Sequence, residues 1–159
     1  MSSNIFLARS APEDFDRTVH SEIDLSDYPN HPEALSGMDT VRFFGAPESR
    51  SDVFEKMNAE DLVLFHQDSE YVGTGWIGTT VEDDQQWAST TFWSDTCSAL
   101  IYTVEEFTPV SVPTTAVNLI FGYAEGYTPP ELMRVAENRV DNRPRAIKRA
   151  LERYTEKHD

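Results

Sequence analysis

Residues 71–80 read YVGTGWIGTT, where Gly73, Gly75 and Gly78 alternate with bulky and β-branched side chains. The spacing G-x-G-x-x-G matches the glycine fingerprint of dinucleotide-binding folds. That motif must close a strand and open a helix, because the pyrophosphate sits on the helix N-terminus. Here Trp76-Ile77 and then Thr79-Thr80-Val81 favour continued strand, and no βαβ unit follows. The glycines therefore read as a bent strand where another backbone comes close or a bulge forms. The apolar run 61–67 (DLVLFHQ), joined to it through Asp68-Ser69-Glu70, makes the pair a β-hairpin.

The rest of the chain must supply partners for that bent hairpin. Residues 4–8 (NIFLA) read as a first strand, and Ser10 as the cap of a helix over 12–19 with Pro12 and Glu13 in its first turn and Phe15 and Val19 inward. Residues 20–39 form a long Pro-, Asp- and Ser-rich loop, of a length that is often functional. A strand over 40–46 (TVRFFGA), a helical piece over 53–57 and a helical turn over 84–91 carrying Trp87 follow. Residues 98–107 (SALIYTVEEF) are the clearest strand. Residues 114–121 make a short helix, capped by Thr114 or Thr115, that buries Val117, Ile120 and Phe121. GYAEGYTPP is turn material, and residues 142–156 form a terminal helix with apolar positions at helical spacing. Strands scattered among short helices without β-α alternation predict one α+β domain over 1–159, a small barrel or strongly curved mixed sheet with helices around it.

Charge narrows the setting. The chain of 159 residues has a formal net charge of -15, yet residues 130–159 hold 8 of its 13 basic residues against 6 acidic ones. Only three basic residues are lysine. A carboxylate-rich, lysine-poor surface is what a very salty, halophilic cytoplasm favours, since screening there removes most self-repulsion. In that setting an acidic total still permits nucleic acid as a partner; at low salt it opposes one. No stretch of 18 apolar residues and no charged leader with a hydrophobic block is present, so a soluble cytoplasmic protein off the membrane is expected. The single cysteine, Cys97, excludes an internal disulfide and fits a reducing compartment.

Little points to catalysis. His20, His31, His66 and His158 lack a second ligand at helical or hairpin spacing, so no metal and no cofactor are expected. His66, flanked by apolar residues, reads as a packed side chain. No Gly-x-Ser-x-Gly elbow occurs, and Cys97 has no specified base. Pairs such as Asp83-Asp84 and Glu105-Glu106 are background in so acidic a chain. Two features remain. Arg145, Arg149 and Arg153 recur every four residues with Lys148 alongside, which reads either as a solvated face paired with Glu152 and Glu156 or as a phosphate-contacting ridge. Phe43-Phe44 and Phe92-Trp93 are aromatic pairs beside loops; if extended, one of each pair faces away from its neighbour's packing. Large rings are core material by default, but two such pairs could also wall a slot in which a base stacks.

These residues carry a resemblance. Phe6-Leu7-Ala8-Arg9-Ser10 before Pro12-Glu13-Asp14-Phe15 resembles the opening of YTH and EVE domains. Leu62-Val63-Leu64-Phe65 before Val72-Gly73-x-Gly75 is similar to their hydrophobic and glycine-bearing strands. Phe92-Trp93-Ser94-Asp95 ahead of Ile101-Tyr102-Thr103-Val104 resembles the tryptophan-serine segment that walls the YTH aromatic cage. Over roughly residues 4–112 the chain thus resembles the PUA-like superfamily, EVE/YTH type, with residues 113–159 as a helical extension. The resemblance implies a compact β-barrel with surrounding helices that binds a modified base of RNA or DNA without catalysis. It implies Trp93 and Phe44 as stacking rings, Ser10 reading the base edge, and Arg9 on phosphate. The third YTH cage position falls near Ala99, which has no ring, so the implied pocket is EVE-like, with Trp87 or Trp76 as its further aromatic. Arg42, Arg145 and Arg149 are further phosphate candidates. The alternatives are an ASCH-like hydrolase or ribonuclease of the same superfamily, for which Lys56, Lys148 and Lys157 are poorly placed, and a module binding protein or small molecules.

Overall fold

The apolar runs become the strands of one strongly curled sheet. The computed structural model describes residues 4–83, 86–93, 99–140 and 143–157. In chain order the elements are β1 (Ile5–Arg9), α1 (Pro12–Phe15), β2 (Ile23–Asp24), β3 (Thr40–Val41), β4 (Phe43–Ala46) and α2 (Ser51–Phe54). Then come β5 (Leu62–Gln67), β6 (Glu70–Glu82), α3 (Trp87–Thr91), β7 (Leu100–Pro113) and α4 (Thr114–Phe121). β8 (Leu132–Arg134), α5 (Glu137–Val140) and α6 (Pro144–Lys157) complete the chain. The large sheet runs β4-β7-β6-β5-β1-β8, with β1 parallel to β5 and its other pairs antiparallel; β2 and β3 form a separate ribbon.

Strand alternation sorts the core into two sides. Phe6 and Ala8 of β1 and Val63 and Phe65 of β5 pack with Phe15, Phe43, Phe44, Trp87, Phe92 and Trp93 inside the curl. Ile5, Leu7, Leu62 and Leu64 point the other way and pack with Val117 and Phe121 of α4 and Ile147 and Leu151 of α6. The predicted hairpin is present, with Leu62 opposite Trp76 and Gln67 opposite Glu70. Its glycines do what the sequence requires: a Cβ on Gly73 would stand 2.5 Å from the Phe107 ring, and one on Gly75 would overlap the Val104 side chain. Register shifts against β7 between Tyr71 and Gly73, Thr74 and Trp76, and Ile77 and Thr80 of β6 bend that strand around the crowding.

Several local expectations change. The helix over 12–19 is one α-turn followed by a π-helical turn at Asp16–His20. Its N-cap is Ala11, without a side-chain cap; Ser10 instead donates both N–H and hydroxyl to the His66 carbonyl, at 2.9 and 3.3 Å. The strand over 40–46 breaks at Arg42 into β3 and β4. The loop over 20–39 buries Leu25 and Leu35 beneath short 3-10 turns. β7 runs on to Pro113, and the turn after α4 leads into β8, an edge strand absent from the sequence reading. Cys97, Ser94, Asp95, Asp84, His158 and the starts of the strand at 98 and the helix at 142 lie outside the described residues. No helix among the described residues is long and apolar enough to cross a membrane.

Candidate functional site

A cavity of about 230 Å³ opens where the C-terminal end of β1, the start of α1 and β4 converge. Phe44, Gly45 and Pro47 form one side, Trp93 another, and Arg9, Ala11, Asp14 and Glu131 the rim and remaining wall. Each arrives for a local reason. Arg9 is the last residue of β1, and its N–H donates to the Glu131 carbonyl at 3.1 Å, which brings the segment before β8 to the cavity. Pro12 starts α1 immediately, so Asp14 lies within one turn of Arg9 and is buried. Trp93 follows α3, whose Ala88 N–H donates to the buried Asp83 carboxylate at 2.9 Å. The preceding peptide is held from outside, where Arg17 Nη1 donates to the Phe92 carbonyl at 2.6 Å.

The rings are not parallel walls. Phe44 and Trp93 meet edge to face, centroids 5.6 Å apart and planes at 63°. Trp93 is only 4% exposed, yet one flank borders the cavity, and its Nε1–H is buried with no hydrogen-bond partner among the described residues. The expectation that one ring of each pair turns away from the core does not hold. Phe92 closes α3 in a helical conformation, so that pair is not extended, and Phe43, Phe44, Phe92 and Trp93 all join one cluster, with Phe43 5.6 Å from Phe92 and 5.8 Å from Trp93.

The other predicted site residues sit elsewhere. Ser10 is buried beside the cavity but directs its hydroxyl to His66. Trp87 is packed against Phe43, Phe92 and Tyr28 in the interior and does not line the cavity. Arg42 is occupied: Nη1 donates to the Val19 and His20 carbonyls at 2.6 and 2.8 Å, Nη2 pairs with Glu22 at 3.2 Å, and the guanidinium lies 5.2 Å from the Phe107 ring centre. Trp76, Arg145 and Arg149 line a second concavity beside α6, a helix that packs on the opposite side of the sheet from Phe44 and Trp93. Asp14, Pro47 and Glu131 were missed. Asp14 reads in sequence as an ordinary first-turn acid, and nothing in TPPE foretells that Glu131 reaches β1.

His66 lies one strand from the rim, in register with Arg9. Its Nε2 hydrogen-bonds the Thr114 hydroxyl at 2.8 Å, and burial, reinforced by the nearby Arg9 charge, pushes the imidazole below its ordinary titration range. No lysine or tyrosine lines the cavity among the described residues, nor are three or more His, Cys, Asp or Glu side chains gathered to hold a metal.

Comparison with solved structures places this architecture. The N-terminal domain of Thermococcus gammatolerans McrB bound to m5C DNA superposes with a TM-score of 0.72 at 19% identity, over 94% of this chain and 99% of that one. The fold is PUA-like. An ASCH domain from Zymomonas mobilis is similar at a TM-score of 0.49 and 11% identity, over 87% of this chain and 92% of that one. No protein-family model matches the sequence, and no curated protein does. Covering 94% of the chain, the superposition with the McrB domain extends past residue 113 into the segment after β7.

Proposed function

We propose that this chain is a non-catalytic nucleic-acid-binding module that extrudes one modified base and holds it in the cavity bordered by Phe44 and Trp93. The observation that carries the reading is the meeting of these two rings, distant in sequence, as adjoining walls of one cavity with Arg9 at its rim. Rings inclined at 63° make a wedge: a flat base stacks on one face and meets the edge of the other, both geometries that aromatic groups favour. Stacking is worth ~1–3 kcal/mol per base. Extrusion costs a few kcal/mol, so edge hydrogen bonds must add to it. The Glu131 carboxylate on the lining offers an acceptor for amino or imino hydrogens. Arg9 is the phosphate contact in this reading, being exposed with no hydrogen bond or ion pair from its guanidinium among the described residues.

The McrB domain of the same fold is bound to DNA carrying a methylated cytosine, which supports methylated DNA as the first ligand to try and RNA as the second. The test is fluorescence anisotropy with a labelled duplex containing one m5C, its unmodified twin and the matching RNA, at low and molar salt. The modified duplex should bind more tightly at both salts, and the preference should vanish in Trp93→Phe and Phe44→Leu. Absence of binding to every oligonucleotide at either salt would overturn the reading.

A further inference from the structure

The second concavity, of about 1150 Å³, runs between α6 and the bulged part of the β6–β7 pair. Trp76 is half-buried in its lining, and Glu105 stands opposite it in strand register. Gly78 is crowded on the same ladder: a Cβ there would lie 2.6 Å from the Thr103 hydroxyl and 3.0 Å from the Glu105 carboxylate. Glu60 and Glu106 complete an acidic wall, both held at positive φ, 74° and 50°. Glu60 is fixed there by donating its N–H to the Ile77 carbonyl at 2.7 Å. Facing them, α6 buries Ile147 and Leu151 and so presents Arg145 and Arg149 outward, one helical turn apart. Lys148 between them is neutralised by Glu152 at 2.6 Å and donates to Thr108 at 3.1 Å. Arg145 and Arg149 have no such partner among the described residues.

Arg145 and Arg149 are therefore poor phosphate contacts for a strand seated at Phe44 and Trp93. They lie across the sheet from that cavity, and the acidic residues sharing their concavity oppose a polyanion. The same walls suit a chain carrying both signs of charge. Trp and Arg are the side chains that most often dominate binding energy at protein interfaces. We infer that this groove docks a segment of a partner protein with acidic side chains toward Arg145 and Arg149, basic ones toward Glu105 and Glu106, and an apolar side chain over Trp76. The inference is independent of base binding at the cavity.

The test is selection of a phage-displayed library of random dodecapeptides on the wild-type chain, with enriched peptides synthesised and measured by anisotropy. Peptides pairing acidic residues with an apolar one should emerge, and Arg145→Glu/Arg149→Glu should weaken them at least tenfold while leaving the m5C duplex unaffected. Both positions are exposed, so the double variant keeps the core intact. Exchanging the peptide's acidic residues for lysine should restore affinity for that variant, which a merely destabilised groove cannot do. The inference is overturned if no peptide is enriched, or if enriched peptides bind wild type and variant alike. It is also overturned if the double variant weakens the m5C duplex or an oligothymidine as strongly as it weakens the peptides, which would give the groove to nucleic acid.

Discussion

Phe44 and Trp93 touch edge to face with centroids 5.6 Å apart, and both rings are more than nine-tenths buried while bordering open space. A ring in that position serves the core and the cavity together. Trp93→Ala is therefore expected to cost ~3–5 kcal/mol of stability, the usual range for removing a large buried aromatic. Urea unfolding measures it, and loss of binding in that variant alone does not identify a site. Trp93→Phe is the sharper substitution: it keeps a ring in the cluster, costs about 1–2 kcal/mol, and removes both the indole face and the unpartnered Nε1–H. It should lose the modified-base preference while still folding at room temperature. A Trp93→Phe protein with unchanged discrimination would make the indole core material only.

Arg9 and Arg42 look interchangeable in sequence and should behave oppositely. Arg9→Ala removes an exposed side chain at the cavity rim, so stability should stay within about 0.5 kcal/mol of wild type. Duplex affinity should fall, with the log–log salt slope reduced by about 1. Arg42→Ala strands the carbonyls of Val19 and His20, which should cost about 1–3 kcal/mol. Its salt slope should match wild type. Equal slopes in the two variants would remove Arg9 from the phosphate contacts.

This contrast shows where sequence reading reached and where it stopped. The hairpin, α4 and the helical phase of α6 were legible because each depends on local periodicity and on glycines that only a crowded strand needs. Phe44 and Trp93 were placed at one cavity through the resemblance, since pairing of β4 with β7 is non-local. The partners of Arg42 were not legible because they are backbone carbonyls some twenty residues away, which no residue pattern marks. Trp87 starts α3 and packs against Tyr28 and Phe43, contacts between segments far apart in the chain that no local pattern marks. Glu131 depends on a three-residue edge strand too short to carry a period.

His66 predicts a pH dependence of stability. Burial, the first cause, and the nearby Arg9 charge hold its folded titration below the ordinary 6.5, with Asp68 opposing. Above 6.5 the imidazole is neutral in both states and contributes no slope. As pH falls below 6.5 the unfolded chain takes up a proton that the folded one refuses, so stability is lost until pH passes the lowered folded value. The slope from this one group cannot exceed about 1.4 kcal/mol per pH unit. Urea unfolding at successive pH values should show the wild-type curve falling more steeply than His66→Gln just below 6.5, because carboxylate titration is common to both. Parallel curves would mean that His66 is protonated equally in the two states.

Arg17 tests whether the cavity is held in shape from outside. Its Nη1 donates to the carbonyl of Phe92, the peptide immediately before Trp93, at 2.6 Å. Arg17→Met keeps the apolar stem and deletes the donor, at a cost of about 1–3 kcal/mol for the abandoned carbonyl. That is the range expected for Arg42→Ala, which also strands backbone acceptors, those of Val19 and His20, but not the Phe92 carbonyl. The two variants thus separate a general loss of stability from a local loss of position. Arg17→Met should lower affinity for the m5C duplex several-fold, and Arg17→Lys should recover part of it, while Arg42→Ala should leave affinity near wild type. If both variants lose affinity in proportion to their unfolding free energies, the contact at Phe92 stabilises the fold without positioning Trp93.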